Sequence, residues 1–183
     1  MFCFLECKLK ASTCPNNDKF SKIEDFDIIV KKVYSDTLLL VTTSSFLYYP
    51  FGVYGSLEKF QNDQSIWKTF SNDVAMDSNT EKNYRSLKFR NSYLTIYFNE
   101  EKGKVDIVKS FIEDYEIKLM YCIKKGILKQ DFIKILNANI NDEFKEVNVI
   151  KLESGLTGIV HYYTFKGVKL ENIRIESDYS FAQ

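Results

Sequence analysis

The chain has 183 residues, 45% of them hydrophobic, and its 25 basic and 25 acidic side chains cancel to a formal net charge of zero. That length suits one ordinary domain or two fused small units, with apolar content enough for a sizeable core. The charge balance, with Arg limited to Arg85, Arg90 and Arg174, argues against a nucleic-acid binder, which needs a basic excess to neutralise phosphate. With 12 Tyr and 15 Phe the composition leans toward sheet, because these rings fit a pleated, half-buried surface.

Residues 1–22 read as a leader or a signal remnant. Phe2-Cys3-Phe4-Leu5 is apolar, Glu6 and Lys8 interrupt it, and Ala11-Ser12 offers a small-residue processing site. Processing there leaves Cys14 close to the mature N-terminus, where it can pair with Cys122 in an oxidising compartment. This is the periplasmic or cell-envelope reading; the alternative is a short first strand in a cytoplasmic protein. Four cysteines (Cys3, Cys7, Cys14, Cys122) and one histidine supply too few ligands for a zinc site. No stretch reaches the roughly 18 apolar residues of a membrane span.

Thr13 to Ser21 is a polar loop. Phe26 to Val33 and Thr37 to Thr43 flank the turn signal Ser35-Asp36 and predict a hairpin. The continuous run Leu38-Leu39-Leu40-Val41 suggests a strand covered on both faces. Residues 46–55 form an aromatic turn in which Pro50, Gly52 and Gly55 forbid a regular helix. A short helix follows from Leu57 and Phe60, then a polar loop over 72–83. Tyr84 to Phe98 alternates as two strands around Asn91-Ser92, and a turn at Gly103 leads to a third strand, Lys104 to Ile112.

Glu116 to Leu119 reads as a strand. Lys129 to Leu136 reads as a helix, with Leu128, Phe132, Ile135 and Leu136 on one face. Strands over 147–153, 158–165 and 170–178 are separated by the turns Ser154-Gly155 and Lys166-Gly167. Residues 46–112 and 117–179 thus run in the same order: aromatic or apolar opening, helix, meander. The offset between them is 63 positions from Leu87 to Ile150 and 71 from Gly55 to Gly126. The expected fold is α+β: two tandem helix-plus-antiparallel-meander units forming one continuous sheet with helices on one face. Residues 23–115 make the first unit and 116–183 the second.

The helix opening Gly126-Ile127-Leu128-Lys129-Gln130-Asp131-Phe132, placed before a meander and echoed at Gly55-Ser56-Leu57-Glu58-Lys59-Phe60, resembles the β-lactamase-inhibitor-protein-like fold. Leu128 stands where that pattern has a capping Ser or Thr. The segments Tyr49 to Leu57 and His161 to Ile175 also look like those of bacterial immunity-type proteins of unassigned role. The resemblance implies a scaffold used for binding: an inhibitor, or an immunity protein that neutralises a secreted toxin by occlusion. A small outer-membrane assembly lipoprotein is the alternative it implies.

Catalytic signals are sparse. His161, the single histidine, lies in the strongly β segment Ile159-Val160-His161-Tyr162-Tyr163, and an enzyme built on it would need Cys122 or another nucleophile in a cleft beside it. There is no Gly-x-Ser-x-Gly elbow and no Gly-Lys-Ser/Thr phosphate loop. Glu100-Glu101 and Glu113-Asp114 read as solvated turn carboxylates, and no calcium-loop pattern occurs. The expectation is therefore a non-enzyme without cofactor or metal. Its binding residues would be aromatic: Tyr48, Tyr49, Phe51 and Tyr54 in the turn, Tyr93 and Tyr97 on one strand face, and Tyr162 and Tyr163. Adjacent Tyr162 and Tyr163 must point to opposite faces of their strand, so only one of them can face a partner. The partner would be a protein, a secreted toxin among the options; oligomeric state is not readable.

Overall fold

The computed structural model describes residues 23, 26–44, 47, 84–99, 104–117, 119–138, 140, 142–156 and 158–177; at 84, 85, 98, 99, 104–106, 120, 142 and 143 only the backbone is described. Eight strands form one sheet: β1 (Ile28–Tyr34), β2 (Thr37–Thr42), β3 (Tyr84–Phe89), β4 (Ser92–Asn99), β5 (Lys104–Ile112), β6 (Val149–Ser154), β7 (Ile159–Lys166) and β8 (Lys169–Ser177). Their spatial order is β1-β2-β6-β7-β8-β5-β4-β3. Every pairing is antiparallel except β2 with β6, which is parallel. Among the described residues there is one α-helix, α1 (Lys129–Leu136).

This corrects the expected architecture. Both meanders exist, β3-β4-β5 and β6-β7-β8, but they do not stand as two helix-plus-meander units with helices on one face. The hairpin β1–β2 crosses to the other half and pairs with β6. β2 has a strand on each flank, β1 and β6, but its residues alternate half-buried and buried. Leu38 and Leu40 therefore face the core while Leu39 and Val41 stand on the other side, and the cover on both faces expected from the apolar run is not found. The first helix expected from Leu57, the 72–83 loop and the 1–22 leader lie outside the described residues. The strand expected over 116–119 is absent: Ile117 and Leu119 are buried in irregular chain before a 3-10 turn at Met120–Cys122.

Directly opposed residues on paired strands share a face, and this sorts the sheet into rows. On the inner face Leu38, Ile150, Tyr163, Ile173 and Ile112 lie in line across five strands, all buried. A second inner row joins Leu40, Leu152, His161, Ile175, Ser110 and Leu94. α1 lies against this face at β7, with the Phe132 ring centroid 4.3 Å from that of Tyr163 and 5.8 Å from that of Phe165. Leu128 gives α1 no side-chain cap. The orphan N–H of Lys129 instead donates to the carbonyl of Val168 at 2.7 Å, and Leu170 N–H donates to Ile127 at 2.9 Å, so β8 caps the helix. Lys129 Nζ, buried, donates to the Val147 carbonyl at 2.6 Å and ties the first helical turn to the chain entering β6. Burial pushes its pKa down, opposed by the Glu146 charge.

Each of three bulges places one surplus residue in a strand. Pairing passes from Ile28↔Thr42 to Val30↔Val41, from Thr95↔Lys109 to Ile96↔Ile107, and from Thr164↔Asn172 to Phe165↔Leu170. The surplus residues are Ile29, Val108 and Glu171. The freed carbonyl of Val108 accepts from Ser177 Oγ at 2.9 Å. At the β3–β4 corner the buried Ser92 Oγ accepts N–H donors from Glu113 (3.0 Å) and Asp114 (3.2 Å) and donates to the Asp114 carboxylate, clamping the two ends together.

The β7–β8 turn needs a left-handed residue, supplied by Gly167 at φ +60, and a Cβ there would meet nothing within 4 Å. The cost of substitution is therefore purely conformational. Gly167→Ala is expected to lower unfolding stability by about 1–2 kcal/mol in urea titration, and Gly167→Asn by less, since Asn tolerates this region. Equal losses for Ala and Asn would mean that the backbone is not the cause.

Candidate functional site

The face of the sheet opposite α1 carries a third kind of row. Starting at the β1 edge, register aligns Lys32 with Leu39, Leu39 with Lys151, and Lys151 with Tyr162. From there Tyr162 opposes Arg174, Arg174 opposes Phe111, Phe111 opposes Tyr93, and Tyr93 opposes Lys88 at the β3 edge. One continuous row of cations, rings and one leucine thus crosses all eight strands. No carboxylate stands in it.

Tyr162 is its centre. Arg174 lies over the ring with its guanidinium carbon 4.2 Å from the centroid, and Lys151 Nζ approaches from the other side at 5.8 Å. Such contacts contribute about 0.5–1 kcal/mol each at half-exposed sites and fix the ring in place. Glu153 and Glu176 stand in the adjacent row and pair with these cations, Lys151 to Glu153 at 2.9 Å and Arg174 to Glu176 at 3.5 Å. The hydrogen bond to Glu153 pushes the Lys151 pKa up, outweighing partial burial. Farther along, Tyr93 and Phe111 stack with centroids 6.1 Å apart.

The expected site residues are divided by this geometry. Tyr162, Tyr93 and Tyr97 are half-buried on the face away from α1. Tyr163 is corrected: its ring is fully buried against Phe132, so it serves the core and Tyr162 is the surface ring of the pair. Burial pushes its hydroxyl well above the usual phenol range. Tyr48, Tyr49, Phe51 and Tyr54 lie outside the described residues. Sequence reasoning missed Lys32, Lys151, Arg174 and Phe111, because their alignment is a matter of register. One signal was present. Leu170, Ile173 and Ile175 are spaced three and then two, which a regular strand cannot bury on one face, and this marks the Glu171 bulge that brings Arg174 opposite Tyr162.

His161 and Cys122 form no surface pair. His161 is fully buried in the inner face, its Nδ1 sharing a 3.1 Å hydrogen bond with the Tyr163 hydroxyl. Desolvation pushes its pKa down to about 3, against the opposing influence of a backbone hydrogen bond with Leu47, so the imidazole is neutral near pH 7. Cys122 is disulfide-bonded; the other three cysteines, Cys14 among them, lie outside the described residues. Among the described residues no group of His, Cys, Asp and Glu is arranged to hold a metal, and no helix is long and apolar enough to cross a membrane.

Comparison with known proteins matched the chain to no family, no curated protein and no solved structure.

The buried imidazole gives the fold an acid sensitivity of defined sign. The folded pKa of His161 lies near 3 and the unfolded one near 6.5, so its contribution is intact above pH 6.5 and is lost as pH falls toward 3. Relative to His161→Gln, the wild type should lose about 2–3 kcal/mol of stability between pH 8 and pH 4.5, measured by urea unfolding at both values. A difference that does not change with pH would refute a neutral buried imidazole.

Proposed function

We propose that this chain is a non-catalytic protein-binding module that acts by covering a surface of its partner with the outer face of its sheet. The observation that carries this reading is Tyr162 held between Lys151 and Arg174 in the middle of a continuous cation–aromatic row. A ring already fixed by its neighbours loses little conformational freedom on binding, and tyrosine and arginine are the residues on which binding energy concentrates. A row that runs unbroken across eight strands favours occlusion of a partner's surface over capture of a small molecule in a cleft. A secreted toxin is the partner class that the sequence resemblance implies.

The compartment enters the same reading. A disulfide at Cys122 persists in an oxidising environment and supports export to the periplasm or cell envelope. That observation suits an envelope assembly protein equally well; the preorganised row is what favours an inhibitor over that alternative.

Capture by the tagged full-length chain, cross-linked in its native cells, tests the face. Tyr162→Ala should reduce recovery of the partner by about 10-fold or more with a melting temperature within a few degrees of wild type. Undiminished recovery would remove the outer face from the proposal. Separately, peptide mapping under non-reducing conditions should find Cys122 linked to another cysteine of the chain. A free thiol at Cys122 in protein taken from cells would remove the argument for export.

A further inference from the structure

The row also specifies what kind of segment it would hold, an inference that rests on the protein-binding reading above. Neighbouring strands lie about 4.8 Å apart, so the backbones at Lys32, Lys151 and Arg174, each two strands from the next, are spaced by about 10 Å along the row. A polypeptide in the extended left-handed polyproline conformation turns once every three residues and rises about 9.3 Å in doing so. The rise of one such turn therefore matches the backbone spacing of successive cations in the row. Beyond Arg174 the row becomes aromatic, Phe111 stacked on Tyr93, and flat rings are the surface on which proline-rich segments dock.

The neighbouring row decides between polyanions. Glu153 and Glu176 flank the cations along one side. A nucleic-acid strand brings phosphates at a closer spacing than the cations and would be repelled by these carboxylates. A protein segment carries its acids only where they are placed and can offer basic or neutral groups to the flanking glutamates. We propose that the outer face binds an extended, polyproline-like protein segment laid across the strands, with a carboxylate at every third residue facing Lys32, Lys151 and Arg174.

The test is fluorescence anisotropy of the full chain with labelled peptides of four Glu-Pro-Pro repeats. Binding that weakens with rising salt is expected. Four Lys-Pro-Pro repeats should not bind, and a Glu-Pro alternating peptide of equal length should bind about 5-fold more weakly or worse, since its acids fall out of step with the cations. Arg174→Gln and Tyr162→Ala should each weaken the Glu-Pro-Pro peptide by about 5-fold or more, with Arg174→Lys retaining part of the affinity. Circular dichroism melts confirm that each variant is folded. Equal binding by the lysine peptide, tighter binding of an oligothymidylate, or indifference to Arg174→Gln would overturn the proposal. If the Glu-Pro-Pro peptide is ignored while Tyr162→Ala still lowers recovery of the cellular partner, the acidic-segment inference fails and the protein-binding reading stands. If neither effect is seen, both fail.

Discussion

A pleated strand alternates sides at every residue, so one surplus residue exchanges everything beyond it between core and surface. This parity constraint governs the whole molecule. In β8 the core takes Leu170, Ile173 and Ile175, a set that no regular strand can place on one side. The bulge at Glu171 absorbs the mismatch, and the same residue therefore keeps two isoleucines under α1 and delivers Arg174 to the ring of Tyr162. The bulge at Val108 does the corresponding work in β5, and the bulge at Ile29 sets Lys32 opposite Leu39 in a β1 whose residues are mostly exposed. Core and candidate binding face are two readings of one register, and a slip in either would scramble both.

Much of the local structure was legible. The turns Ser35-Asp36 and Lys166-Gly167 and the alternation in 84–98 and 159–165 mark strands close to those found, and the helix over 129–136 has the predicted ends. Short-range physics decides such features: side-chain period, turn conformation, the φ of a glycine. The arrangement of the strands was not legible. Nothing local in Leu38 to Val41 says that its second neighbour is Ile150 to Glu153, more than a hundred residues away, nor that the pairing is parallel. The run of four apolar residues suggested cover on both faces of β2, but only Leu38 and Leu40 are fully buried, and the echo between the two halves pointed to separate units that the sheet does not form. Glu116 to Leu119 differs in another way: its apolar members Ile117 and Leu119 are buried, but among the described residues it pairs with no strand.

The candidate site was half visible. Opposite orientation of Tyr162 and Tyr163 follows from strand geometry alone, but which ring faces α1 depends on the sheet that Phe132 covers. The cations around Tyr162 come from β6 and β8, so they emerge only once the register is known. His161 carried the strongest chemical signature in the sequence and turned out to sit deep in the inner face, where its polar atoms serve the packing of Tyr163.

The parallel seam between β2 and β6 has a consequence for how the chain is made. Leu40 and Leu152 pair across it, so more than a hundred residues must follow β2 out of the ribosome before the seam can close. Until then the β1–β2 hairpin presents a sticky flank of Leu38 to Val41 with no native strand to receive it. The sheet therefore closes only after β6 has emerged, and the order of synthesis sets the order of assembly. Through that interval the same flank can pair with other nascent chains.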